Sequence, residues 1–151
     1  MRQLIIARKD LGMSAGKLAA QCCHASEAFL TSHLRDRTNV TEMTDETGKL
    51  CYKAEYIFSK EVYEDWICDI IIKTVCAAKN RTHLLKAKTM AEEMGLEEGK
   101  DFFLIWDRCL TELEPEEVDE DGIGWTLTAI GFQPLDDETA HKISKKYQLY
   151  K

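Results

Sequence analysis

Three side chains of this 151-residue chain are spaced for a shared task. Lys17, Gln21 and His24 fall at i, i+4 and i+7, so all three project from one face of a helix. Lys17 sits in the first helical turn, where a cation opposes the helix dipole and costs roughly a few tenths of a kcal/mol unless something negative lies against it. Ser14 is placed to cap that helix, and Gly16 leaves its backbone open to close approach. A helix start of this kind can hold a phosphate or a carboxylate. A second pair stands far along the chain. Asp107 directly follows the apolar run Phe102–Trp106, and Thr111 comes four residues later. Ligands of open α/β sheets bind beyond the carboxyl ends of strands, which is where this carboxylate would stand. Spacing alone also allows a plainer picture, with a solvated polar helix face and an aspartate that only forms a turn.

Other constellations lead less far. Cys22, Cys23 and His24 are contiguous and cannot all face one ion from a helix, and no C-x-x-C occurs, so no metal site is expected. Cys109, His24 and Asp107 can be drawn as a nucleophilic triad, but nothing in the sequence activates that thiol. Gly122-Ile123-Gly124 follows an acidic stretch and precedes a strand, the wrong context for a dinucleotide fingerprint, and no cofactor is expected. From Glu112 to Asp121 seven of ten residues are acidic. With Pro115 inside and no regular ligand spacing, the run reads as a solvated loop and not as a cation site.

These residues need elements to carry them. Leu4–Ala7 reads as a buried opening strand, and Lys17–Leu30 as a helix whose Leu18, Cys22, Ala25 and Phe29 share one apolar face. Thr31–Lys53 has no sustained period and reads as a long loop or a loosely held hairpin. Lys60–Ile67 reads as a short helix ending at Trp66-Ile67. Asp69–Cys76 gives the strongest strand signal, β-branched on both parities, which implies burial on both faces. A helix over Thr82–Met94 stops at Gly95. Strands follow over Asp101–Trp106 and Gly124–Gly131, and a last helix has Asp136, Asp137 and Glu138 in its first turn and lysines near its end. The order implies one α/β domain spanning 1–151, with a four-stranded mixed sheet flanked by helices.

Composition sets limits. Apolar residues make up 44% of the chain and charged residues 31%, enough for one buried core. Six cysteines with an adjacent pair, and no signal-peptide pattern, suit a reducing cytoplasmic location. No apolar run approaches the ~20 residues of a membrane helix, so no membrane partner is expected. The formal net charge of −7 counts against general nucleic-acid binding. Lys142, Lys145, Lys146 and Lys151 nevertheless crowd the last ten residues.

The stretch from Arg8 to Ala25 resembles the opening motif of the type 2 peptidyl-tRNA hydrolases, R-x-D-L-x-M-x-x-G-K-x-A-A-Q-x-x-H-A. Asp10, Met13, Gly16, Lys17, Ala19, Ala20, Gln21, His24 and Ala25 stand at the family spacing. The segment from Asp107 is similar to the family's D-A-G-[KR]-T, and Thr126–Pro134 to T-x-x-x-I-G-x-x-P. The closing Leu149-Tyr150 is also like the family's C-terminus. The resemblance implies that family's fold and metal-independent cleavage of the ester joining a peptide to tRNA. It further implies catalytic parts for Lys17, His24, Asp107 and Thr111, and substrate contacts from Gln21 and Thr126; the open helix start adds Ser14 and Gly16 to the expected substrate contacts. Peptidyl-tRNA would be the partner, and a homodimer stays open. In this chain Arg108-Cys109-Leu110 replaces A-G-[KR], Glu112 replaces a glutamine, and the segment before Thr126 is longer and acidic. Each departure removes positive charge or adds negative charge near the site. Two rival functions follow: a divergent hydrolase acting on a less anionic ester or amide, and a binding or regulatory domain that has kept only the fold. If tRNA binds, the resemblance requires positive surface near Lys17, with Arg8, Lys9 and Arg108 as the nearest sources.

Overall fold

Strand β1 (Arg2–Arg8) is the centre of the molecule, and Gln3 through Arg8 are all buried. A computed structural model describing residues 1–151 shows why. Its main sheet has the order β5-β7-β1-β4-β8, with a short β6 paired to β7. The elements are β4 (Lys73–Ala78), β5 (Phe102–Asp107), β6 (Glu117–Val118), β7 (Gly124–Leu135) and β8 (Gln148–Leu149). Strand β1 runs parallel to β4 and antiparallel to β7, and β5 is antiparallel to β7. The sheet therefore has six strands, not four; β6 and β8 are two-residue strands too short to leave a periodic signal in the sequence.

Period-two alternation sends the β1 side chains to two different cores. Leu4 and Ile6 pack with Leu84, Ala87 and Ala91 of α3 (Arg81–Glu93) and with Ala140 and Ile143 of α4 (Asp137–Ser144). Ile5 and Ala7 pack on the other face with Ala25, Ala28 and Phe29 of α1 (Ala15–Arg35) and with Trp66. The sheet is thus covered on both faces, as the unbroken apolar run in β1 requires.

Helix α1 is anchored closely. A Cβ added to Gly131 of β7 would lie 2.1 Å from the Ala25 carbonyl oxygen, so only glycine lets the helix backbone approach the strand this far. The fully buried Gln3 adds a polar tie: its amide donates to the Ser26 and Phe132 carbonyls, and its oxygen accepts from the Ser26 hydroxyl at 2.8 Å.

Three expected boundaries move. Helix α1 continues to Arg35, and after it β2 (Val40–Thr44) and β3 (Leu50–Ala54) form a hairpin, so part of the 31–53 segment is helical. The strand expected over 69–76 begins only at Lys73, because β1 offers its first parallel partner at Gln3. Ile70, Ile71 and Ile72 lie outside the sheet and are exposed. The helix at Lys60 forms as α2 (Lys60–Val62), which widens into a π turn over Tyr63–Ile67 that buries Trp66. No helix is long and apolar enough to cross a membrane.

Candidate active site

The carboxyl end of β5 and the start of α1 meet through charge. The Lys17 ammonium lies 2.6 Å from Asp107 Oδ2, with side chains only 13% and 11% exposed, and it donates to the Thr111 hydroxyl at 3.2 Å. The Gln21 amide donates to the same Oδ2 at 2.8 Å, and the Cys109 N–H donates to Oδ1 at 2.9 Å. Burial alone would raise the Asp107 pKa. Hydrogen bonding and attraction from Lys17, with the Cys109 and Gln21 bonds, outweigh burial and hold it below the usual carboxylate range. Asp107 is therefore an anion at neutral pH, and one acceptor direction on Oδ1 is left over by these bonds.

Each member is fixed from behind. Ser14 caps α1 by accepting from the Lys17 N–H at 3.2 Å. Gln21 is buried, and its oxygen lies 2.6 Å from the hydroxyl of the fully buried Thr128, which is also 3.0 Å from the Ile105 carbonyl. The Asp107 carboxylate, which only accepts, selects the Gln21 orientation, and Thr128 stands against the oxygen end of that amide. Thr126, also fully buried, donates to the Glu114 carbonyl at 2.8 Å and accepts from the Glu116 N–H at 3.0 Å. It braces the loop behind Asp107. Gly16 meets nothing within 4 Å of a built Cβ, which leaves the helix start open on that side.

His24 stands apart from this cluster. It is exposed and lines a groove of about 650 Å³ between α1 and β5 with Ala28, Thr31, Phe103 and Trp106. It forms no hydrogen bond to Lys17 or Asp107.

The acidic stretch is largely an exposed loop, as expected, but several of its carboxylates have partners. Glu112 accepts from the N–H and hydroxyl of Ser14 at 2.8 and 2.7 Å, so a carboxylate of the chain itself already occupies the α1 N-terminus. Glu116 pairs bidentately with Arg8 at 2.7 Å, and Glu117 pairs with Arg81. Asp119 holds its own turn through the N–H groups of Asp121 and Ile123. The run supplies counterions that the linear sequence shows only as repeated charge. Arg8, expected as positive surface, is 3% exposed and is neutralised by Asp10 and Glu116. Arg108 stacks over the Trp125 ring. No three His, Cys, Asp or Glu side chains converge in a metal-binding arrangement.

Comparison with known families matches residues 1–150 to the family described as Peptidyl-tRNA hydrolase PTH2. The chain belongs to this family. Among curated relatives, a peptidyl-tRNA hydrolase of Methanopyrus kandleri is 33% identical over 143 residues, covering 95% of this chain and 92% of its own. One from Thermoplasma acidophilum is 27% identical over 148 residues, covering 98% and 97%. A probable peptidyl-tRNA hydrolase 2 of Dictyostelium discoideum is 26% identical over 149 residues, which span 99% of this chain and 54% of that protein.

Family membership gives the turn after Asp107 its meaning. Cys109 is the one non-glycine residue with positive φ, at +55°. It stands where the family motif has glycine, and the left-handed backbone there is what aims the 109 N–H at Asp107. Cys109 adopts this backbone although glycine would adopt it with less strain.

Proposed function

We propose that this protein hydrolyses the ester bond of peptidyl-tRNA, with Lys17, Asp107 and Thr111 as the reacting constellation. The observation that carries the reading is the half-buried ion pair of Lys17 with Asp107, held by Gln21, Thr111 and the Cys109 N–H. Water held at the free Oδ1 direction attacks the ester carbonyl as Asp107 accepts its proton. The Lys17 ammonium stabilises the oxyanion. Collapse breaks the acyl–oxygen bond, and the ribose hydroxyl leaves with that proton, giving a free peptide carboxyl group and tRNA. With its pKa depressed, Asp107 is a weak base, so water positioning and oxyanion stabilisation carry most of the rate. Ser14 and Gly16 border the path of the terminal nucleotide. Thr126 and Gln21 hold the site together. The α1–β5 groove, with His24 on its wall, accommodates the peptide arm, so His24 touches substrate without exchanging its proton. A cytoplasmic location suits a family of enzymes that act on peptidyl-tRNA.

The deciding experiment is multiple-turnover cleavage of purified peptidyl-tRNA. Lys17→Ala lowers kcat by about 10²–10³ and leaves KM within severalfold. Wild-type protein that leaves peptidyl-tRNA intact refutes the reading. One observation favours a second substrate class. Glu112 fills the α1 N-terminus where an anionic group of the substrate would dock, which suits a less anionic ester. Glu112→Gln separates the two: it speeds cleavage of peptidyl-tRNA on the first reading and leaves a neutral ester the better substrate on the second.

A further inference from the structure

A group of lysines that take part in no ion pair lies away from Lys17. A cleft of about 610 Å³ is lined by Lys9, Lys79, His83, Lys146, Gln148 and Lys151, with no acidic side chain among its lining residues. Lys86 borders the grooves beside it, where Glu93 is the one carboxylate. None of Lys9, Lys79, Lys86, Lys146 or Lys151 takes part in an ion pair, whereas Arg2, Arg8, Lys17, Arg81 and Lys88 all do. In a chain of net charge −7 with 27 acidic residues, lysines kept unpaired side by side repel one another unless an anion joins them.

The cleft is also built. His83 stacks on Tyr147 with ring centroids 4.5 Å apart, and the Tyr147 hydroxyl donates to the His83 carbonyl. His83 Nδ1 accepts from the Lys79 N–H at 3.1 Å, which puts the ring proton on Nε2. Three elements are thereby locked where they meet: the end of β4, the first turn of α3 and the segment before β8.

Register places this cleft relative to the ester site. Ala7 pairs with Ala129, which pairs with Ile105, so Lys9 and Asp107 each stand two residues further toward the same end of the sheet, the carboxyl ends of β1 and β5. Arg8 pairs with Ala78, which brings Lys79 level with Lys9. From β5 to β4 is three strand steps, about 14 Å. The cleft therefore lies a few nucleotides from the ester along a bound strand.

We infer that the cleft formed by Lys9, Lys79, His83 and Lys146 binds backbone phosphates of the tRNA acceptor arm while the ester lies between Lys17 and Asp107. The inference rests on the ester-hydrolase reading for the position of the ester, and it assigns the affinity for tRNA to residues other than those that react.

The test uses the full chain with Lys79, Lys86 and Lys146 all changed to Ala, two substrates and one ligand. Against peptidyl-tRNA at about 0.1 M salt, KM rises about tenfold with kcat unchanged. Against a peptidyl ester of adenosine alone, too short to reach the cleft, both constants stay at wild-type values. Affinity for deacylated tRNA falls, and its dependence on salt becomes shallower by about one logarithmic unit for each phosphate no longer held. Wild-type affinity and salt slope in the variant overturn the inference. So does an equal loss on the adenosine ester by a variant with wild-type thermal stability, which would place the effect of the lysines at the ester site and not at distant phosphates. Wild-type protein that cleaves neither substrate defeats the ester-hydrolase reading, and the salt slope for deacylated tRNA still decides whether the cleft binds phosphates.

Discussion

Lys17 and Lys79 stand beside the same carboxyl ends of the sheet strands and serve different purposes. Lys17 is 13% exposed and 2.6 Å from a carboxylate, with a threonine hydroxyl as second partner. Lys79 is exposed and borders a cleft without an acidic side chain. A lysine clamped in this way attracts distant anions weakly, because its charge is largely compensated, but its ammonium is fixed to a defined position. An unpaired lysine on an open surface has the reverse properties. The contrast separates positioning from attraction, and it explains how a chain with an acidic total can work on a polyanion. Between the two regions run Glu116 and Glu117, which tie Arg8 and Arg81. The acidic segment partitions this end of the sheet.

The strongest way to break the contrast is to unclamp Lys17. Asp107→Asn removes the carboxylate and lowers kcat by about 10²–10³, while affinity for deacylated tRNA stays the same or tightens. Stopped-time cleavage and filter binding on one preparation check both halves. The wild-type enzyme carries a matching pH signature. Because Asp107 titrates below the usual carboxylate range in the folded protein, its ion pair is fully present above the unfolded pKa of about 3.9 and is lost only as pH falls through the lower folded value. The acid limb of kcat/KM therefore lies below that of an ordinary aspartate.

A smaller effect comes from removing the partition. Glu116→Ala leaves the buried Arg8 with Asp10 and the Leu127 carbonyl only, and stability in urea falls by about 2 kcal/mol. Arg81 loses one of its two carboxylates at the same time, so tRNA affinity rises at low salt. A variant that is equally stable would show that Arg8 does not need this counterion.

The smallest change sharpens the clamp itself. Cys109→Gly relieves a left-handed side-chain conformation and stabilises the fold by up to about 1 kcal/mol, less the entropy of a freer unfolded chain. Turnover stays near wild type, because the N–H that meets Asp107 belongs to the backbone. A fall of an order of magnitude or more would assign the thiol itself a part, through its contact with Thr126 at 3.3 Å.

Much of the site could be read directly from the residues. The Lys17–Gln21 spacing and the Ser14 cap depend on local helix geometry, and the structure has both. Asp107 at a strand end followed from the apolar run before it. What pairing decides was out of reach. The strand expected at Asp69 starts at Lys73, because a strand begins where its neighbour offers hydrogen bonds and not where β-branched residues begin. Thr128 lies within the motif that marked Thr126, yet no spacing rule indicates which threonine meets Gln21. The acidic run was legible as an exposed loop but not as a source of counterions: charge along a sequence reveals its sign but not its partners.

Residue order alone was enough for the main elements and their chemistry, because capping, helical periodicity and apolar runs act between residues a few positions apart. It also carried the motif by which the chain is assigned to its family. Which charges neutralise each other was settled by the fold. Arg8 and Glu116 are 108 residues apart in the chain, Gln21 and Asp107 are 86 apart, and the lysines at 9, 79 and 146 reach one cleft only through the order of strands β1, β4 and β8. Coulomb interactions depend on distance in space, and at such separations along the chain that distance is set by the packing of helices on the sheet.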